Sequence, residues 1–159
     1  MIQKHLTINY TEYGSASEME PEDRALIDQA ILAQNGSYSP YSHFRVGAAV
    51  RMEDGTIVRG SNQENNAYPA GLCAERTAMF AAGANYPDLA FDCIAIVASD
   101  PDGMCDDPAT PCGECRQVMA EYQNKGKRPF KVILVGAKKI WKFDRVDDIL
   151  PFIFDSLKA

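Results

Sequence analysis

Cys112 and Cys115 stand two residues apart in the run TPCGEC, and Cys73 opens the run CAERTAMFAAGAN upstream. A CxxC pair serves three chemistries: a redox dithiol, half of a structural zinc clip, or half of a catalytic metal site. The hexapeptide alone does not separate them. A structural zinc site closes all four positions with Cys or His. Cys112 and Cys115 supply two ligands, and Cys73 is the natural third. No good fourth follows, because His5 lies in an N-terminal segment and His43 in a loop before a strand. Cys93 falls in an apolar strand and reads as an ordinary buried cysteine, while Cys105 falls in an acidic loop. Three thiolates with an open fourth position describe a catalytic zinc site. The dithiol reading wants its CxxC directly after a buried strand, and here DPDGMCDDPAT intervenes.

Glu75 lies two residues after Cys73, at the start of a predicted helix. A carboxylate there favours the helix dipole. Beside an activated water it would also take and deliver protons, and the PCGEC run favours that role. Helix N-termini stabilise thiolates through unpaired N–H groups and the dipole. One helix start with Cys73 in its first turn, and another straddled by Cys112 and Cys115, therefore make a sensible metal cradle.

The elements that must position these residues follow from periodicity. PEDRALIDQAILAQNG predicts a helix opened by Pro21 and stopped by Gly36, with Leu26, Ile27, Ala30 and Ile31 on one face. FRVGAAVRM, EDGT and IVRGSN read as strand, turn and strand, Asp54-Gly55 being a strong hairpin signal. Gly47 inside the first strand marks a close approach by another backbone or a ligand. CAERTAMFAAGAN and GECRQVMAEYQN predict helices, the second with Cys115, Val118, Met119 and Tyr122 on one face. DCIAIVAS and FKVILVG are buried strands, KIWKF a short edge strand, and VDDILPFIF a helical turn with a tail. The order predicts an α/β domain whose mixed β-sheet of about five strands is covered by helices. Residues 1–20 read as a polar extension of little core value, and 21–159 as a single domain.

Composition narrows the partners. A chain of 159 residues with 46% hydrophobic and 24% charged residues is ordinary for one globular domain. A net charge of −6, with scattered lysines and arginines, disfavours nucleic acid and points to a small molecule. With no apolar leader, no membrane-length run and an odd number of cysteines, a cytoplasmic protein without a disulfide framework is expected.

CAE followed by PCGEC resembles the zinc-dependent cytidine deaminases, in the form with three Cys ligands. YSPYSHFRVGAAV, GSNQENNAYPAGLCAERTA and PCGECRQVMAEY are similar to the small free-nucleoside members of that family. The resemblance implies the cytidine deaminase-like fold and hydrolytic deamination of cytidine, with deoxycytidine, to uridine or deoxyuridine plus ammonia, in pyrimidine salvage. It implies Zn2+ on Cys73, Cys112 and Cys115, with Glu75 as proton shuttle. Asn62 and Glu64 would hydrogen-bond the ribose, Phe44 would pack on the nucleoside, and the backbones of Ala74 and Thr110 would lie beside the pyrimidine and its amino group. It also implies a homotetramer with shared active sites, to which Tyr68 and Phe154 would contribute.

The N-terminal extension and the acidic loop look longer than the family pattern, and Arg45 stands where proline is common in FxVGAA. Three thiolates outweigh a divalent cation by one charge, so Arg76 or Arg116 is expected to donate to them, Arg76 offsetting the excess. Two rivals compete. A blasticidin S-type aminonucleoside deaminase shares CAE and PCGxCRQ but should lack NQEN; a non-catalytic zinc-stabilised interaction domain would need a fourth ligand and has no purpose for Glu75.

Overall fold

Asp54-Gly55 turns the chain as expected, joining strand β2 (Arg45–Met52) to β3 (Ile57–Ser61) in an antiparallel hairpin. The computed structural model describes residues 1–155, so positions 156–159 of the expected domain lie outside the described residues. Naming the short first strand Thr11–Tyr13 β1, the remaining strands are β4 (Phe91–Asp100), β5 (Gly103–Met104), β6 (Lys131–Val135) and β7 (Ile140–Phe143). The helices are α1 (Pro21–Ala33), α2 (Ala74–Asn85) and α3 (Gly113–Gly126), and a 3-10 turn at Val146–Asp148 precedes the tail.

The sheet runs β1-β7-β6-β4-β2-β3, with β5 added beside β4. β4 and β6 pair in parallel and the other pairs are antiparallel, so the sheet is mixed. Alternation divides the strands between two apolar layers. Ala48, Val50, Ile94, Ile96, Val132 and Leu134 face α2 and α3, where Ala78, Met79, Met119 and Phe130 complete one core. Ala49, Cys93, Ala95, Val97, Ile133 and Val135 face α1 and meet Leu26, Ile27 and Ala30. Burial on both faces explains why β4 and β6 read as continuous apolar runs.

Close backbone approach sets the helix positions. A Cβ on Gly47 would lie 2.1 Å from the Ala30 carbonyl oxygen, so the expected neighbour of that glycine is the backbone of α1. Gly60 does the same for α2, where a Cβ would meet the Ala78 nitrogen at 2.3 Å. That contact locks the start of α2 over β3.

The structure departs from the sequence reading at two short strands. β1 pairs with β7, so the KIWKF strand is not the sheet edge, and Met19 is buried. Residues 1–10 are exposed, as a polar extension should be, but Thr11–Tyr13 and Met19 belong to the fold. The acidic loop holds β5, and Lys138 and Lys139 pair with Asp106 and Asp107 at 2.7 and 2.8 Å. Cys105 is fixed there by backbone bonds to Ala98 and Ala137.

Candidate active site

Two helix starts meet at one point. Cys73 is the N-cap of α2 rather than a first-turn residue, and Cys112 is the N-cap of α3. Cys115 lies in the first turn of α3 and is fully buried. The Sγ of Cys112 lies 3.9 Å from that of Cys73 and 3.5 Å from that of Cys115. A tetrahedral zinc with Zn–S near ~2.3 Å places sulfurs roughly 3.8 Å apart. Among the described residues this is the one cluster of three such ligands. Hydrogen bonding from Cys115 pulls the Cys73 thiol down to about 5, against burial and with help from Arg76. Cys115, hydrogen-bonded to that thiolate and buried, is pushed up. A second thiolate beside the first is costly, and a shared divalent cation removes the cost. The donor set fits zinc.

Two of the three cysteines line a cavity of about 740 Å³, together with Phe44, Asn62, Glu64, Tyr68, Ala74, Glu75, Arg76 and Thr110 among others. Glu75 is 5% exposed, and burial pushes its carboxyl above the usual range, with the Cys73 charge adding to it. Arg76 donates from Nη2 to the Cys73 sulfur at 3.7 Å and pairs through Nη1 with Glu114 at 3.0 Å. Arg116, expected with Arg76 as a donor to the thiolates, bonds elsewhere. Its Nε donates to the Pro111 carbonyl (2.8 Å) and its Nη1 to that of Ile149 (3.0 Å), bracing the loop before Cys112 against the tail.

Asn62 and Glu64, which also line the cavity, hold the surrounding loops. The Asn62 Oδ1 accepts the Val46 N–H (2.8 Å) and the Ser37 hydroxyl (2.6 Å), while its Nδ2 donates to the Phe44 carbonyl (2.9 Å). Glu64 accepts the Tyr41 and Ser42 N–H groups at 3.0 and 3.2 Å. Tyr68, on a 3-10 turn at Tyr68–Ala70, is 81% exposed at the rim. Phe154 does not line this cavity and is 84% exposed. Gln117 holds it there, donating to the Phe154 carbonyl (2.7 Å) and accepting its N–H (3.2 Å). Sequence reasoning missed Gln117 and Ser37 because their partners lie 37 and 25 residues along the chain, and Gln117 is one of several polar residues on α3.

Comparison with known proteins converges on one family. Residues 20–127 match the family model described as the cytidine and deoxycytidylate deaminase zinc-binding region. The cytidine deaminase of Sporosarcina psychrophila is 44% identical over 129 residues, spanning 81% of this chain and 88% of its own. That of Halalkalibacterium halodurans is 50% identical over 97 residues, 60% of this chain and 68% of its own. The crystal structure of the Burkholderia pseudomallei cytidine deaminase superposes with a TM-score of 0.70 at 39% identity, covering 82% of this chain and 97% of that one. With its thiol cluster, buried glutamate and adjoining cavity, the chain belongs to the zinc-dependent cytidine and deoxycytidylate deaminase family.

Proposed function

We propose that this chain hydrolyses the 4-amino group of cytidine, and of deoxycytidine, giving uridine or deoxyuridine and ammonia. The observation that carries the reading is the buried Glu75 carboxyl beside three convergent thiols, lining a cavity large enough for a nucleoside. Cys73, Cys112 and Cys115 would hold zinc, which when bound supplies a Lewis acid that makes water acidic near neutral pH. Glu75 accepts the proton released as water attacks C4 of the pyrimidine, and delivers it to ring N3. The proton remaining on the oxygen now bonded to C4 then passes through Glu75 to the amino group, so that ammonia leaves as the C4 carbonyl forms. The raised carboxyl suits this two-way transfer, since a shuttle works best near the ambient pH. The Ala74 and Thr110 backbones flank the pyrimidine, and Phe44 packs on the nucleoside. Asn62 and Glu64 meet the sugar, where an amide and a carboxylate satisfy hydroxyls without entering the base chemistry.

A homotetramer with shared sites fits the exposed Tyr68 and Phe154, each at or beyond the rim of its own cavity. A cytoplasmic location accords with the thiol cluster, which needs reduced cysteines. No helix among the described residues is long and apolar enough to cross a membrane.

Metal analysis combined with ammonia release from cytidine tests the reading. One zinc per chain with turnover of cytidine in preference to blasticidin S is expected; zinc without turnover would leave the interaction-domain alternative. Glu75→Ala should keep its zinc and lose turnover by about 10²-fold or more. Near-normal kcat in that variant rejects the shuttle.

A further inference from the structure

Glu64, the carboxylate given above to the sugar, is already held by one short loop. Its Oε2 accepts the N–H groups of Tyr41 (3.0 Å) and Ser42 (3.2 Å), and its Oε1 accepts the Ser42 hydroxyl. The oxygen of that same hydroxyl accepts the Phe44 N–H at 3.0 Å. Between them His43 adopts a left-handed φ of 57°, a conformation uncommon for a residue other than glycine. The backbone N–H of His43 is anchored on the Ser39 carbonyl (3.0 Å). The Ser42 hydroxyl thus joins the Glu64 carboxylate to the Phe44 backbone.

The occupancy of Glu64 is informative. A carboxylate offers about four lone-pair sites, and bonds from residues 41 and 42 take three of them. What stays open for a substrate lies on Oε1, the oxygen whose direction the Ser42 hydroxyl sets. The Ser42 hydrogen bond also holds the Glu64 carboxyl below its usual range, keeping it an acceptor.

We propose that Ser42 is a positioning residue for nucleoside recognition: its hydroxyl aims Glu64 Oε1 at a sugar hydroxyl and, through the same oxygen, sets Phe44 against the nucleoside. The proposal rests on the cytidine deaminase reading. Ser42 acts on binding and not on chemistry, since its bonds run to Glu64 and Phe44 and none runs to Glu75 or the thiols.

Steady-state kinetics on cytidine with the zinc-loaded enzyme decide it. Ser42→Ala should raise KM roughly tenfold, the worth of one hydrogen bond to a charged group, and leave kcat within about threefold. Ser42→Thr, which keeps the hydroxyl, should return KM to the wild-type value; Ser42→Val, of the same shape without it, should behave as Ser42→Ala. That pair carries the comparison should the alanine variant fold poorly. In a Glu64→Ala background, Ser42→Ala should change KM by less than about twofold, because the two act as one unit. An unchanged KM in Ser42→Val, equal KM values for the Thr and Val variants, or multiplicative effects with Glu64→Ala would overturn the proposal. A zinc-loaded wild type that releases no ammonia from cytidine is a separate result, which removes the deaminase reading and this proposal with it.

Discussion

Arg76 follows Glu75 directly and divides its guanidinium between the Cys73 sulfur and the Glu114 carboxylate, while its buried Nε meets no partner among the described residues. Its charge matters because three thiolates carry one negative charge more than a divalent cation neutralises. Removing the arginine leaves that excess uncompensated, so any proton lost near the cluster comes off at higher pH. Arg76→Gln should therefore move the acid limb of the pH–rate profile upward, measured as kcat/KM for cytidine. A limb that stays in place dismisses the charge-balancing role. Arg116, one residue past Cys115, illustrates the contrast: the same side chain, closer in sequence to a thiol than Arg76 is, spends its donors on the Pro111 and Ile149 carbonyls.

The site exists because two helix starts converge, and the helices in turn rest on a sheet that lets them approach. Small residues make that approach possible: Ala74, Ala78 and Ala82 form the buried side of α2, against Gly60 of β3. On the opposite face Gly47 receives the backbone of α1. Gly47→Ala should destabilise the protein by roughly 2–3 kcal/mol, as an overpacked position whose neighbour is backbone, and urea unfolding measures it. A loss below about 0.5 kcal/mol would mean that α1 shifts freely, contrary to its packing. At the end of the chain, Gln117 bridges both backbone groups of Phe154. Gln117→Ala should speed amide exchange at Phe154 and leave the α3 amides as protected as before; unaltered exchange at Phe154 would show that the bridge does not hold the tail.

Across the whole molecule, a charged network fastens α1 and the sheet together on the face away from the cavity. Arg51 of β2 pairs with Asp23 of α1 at 3.1 Å and with Asp92 of β4 at 2.7 Å, and Lys142 of β7 reaches Asp23 at 2.6 Å. Arg128 and Lys131 complete the shell around Asp92. Burial opposes ionisation of Asp92, yet the hydrogen bond and charge of Arg51, with Lys131 and Arg128, outweigh it and hold its carboxyl below the usual range. A carboxyl lowered in the folded state contributes stability that is complete above its unfolded value, near ~3.9, and is lost as pH falls through the folded value. Asp92→Asn should then cost about 2 kcal/mol at pH 7 and progressively less as the pH falls below ~4, seen by denaturant titration at several pH values. A deficit constant with pH would rule the ion pairs out as its source.

What the sequence determined by itself was whatever depends on near neighbours along the chain. Helix α1 opened by Pro21, the Asp54-Gly55 hairpin, the continuous apolar runs of β4 and β6, and the paired thiols of Cys112 and Cys115 with Glu75 beside Cys73 all arise from spacings of a few residues. Periodicity and capping report those spacings directly. Tertiary structure decided the rest. β1 carries no pattern of its own over three residues and is a strand because β7 offers it an edge, Trp141 donating to Glu12 across the pair. Arg76 is the third residue of α2 after Cys73 and Arg116 the fourth of α3 after Cys112, and the fold sends the first to sulfur and the second to carbonyls. Glu64 reads as a sugar ligand within NQEN, but the Ser42 hydroxyl that bonds it lies on a different loop. Side-chain bonds join residues that folding brings together at separations no local pattern records, and those bonds set the geometry of the site.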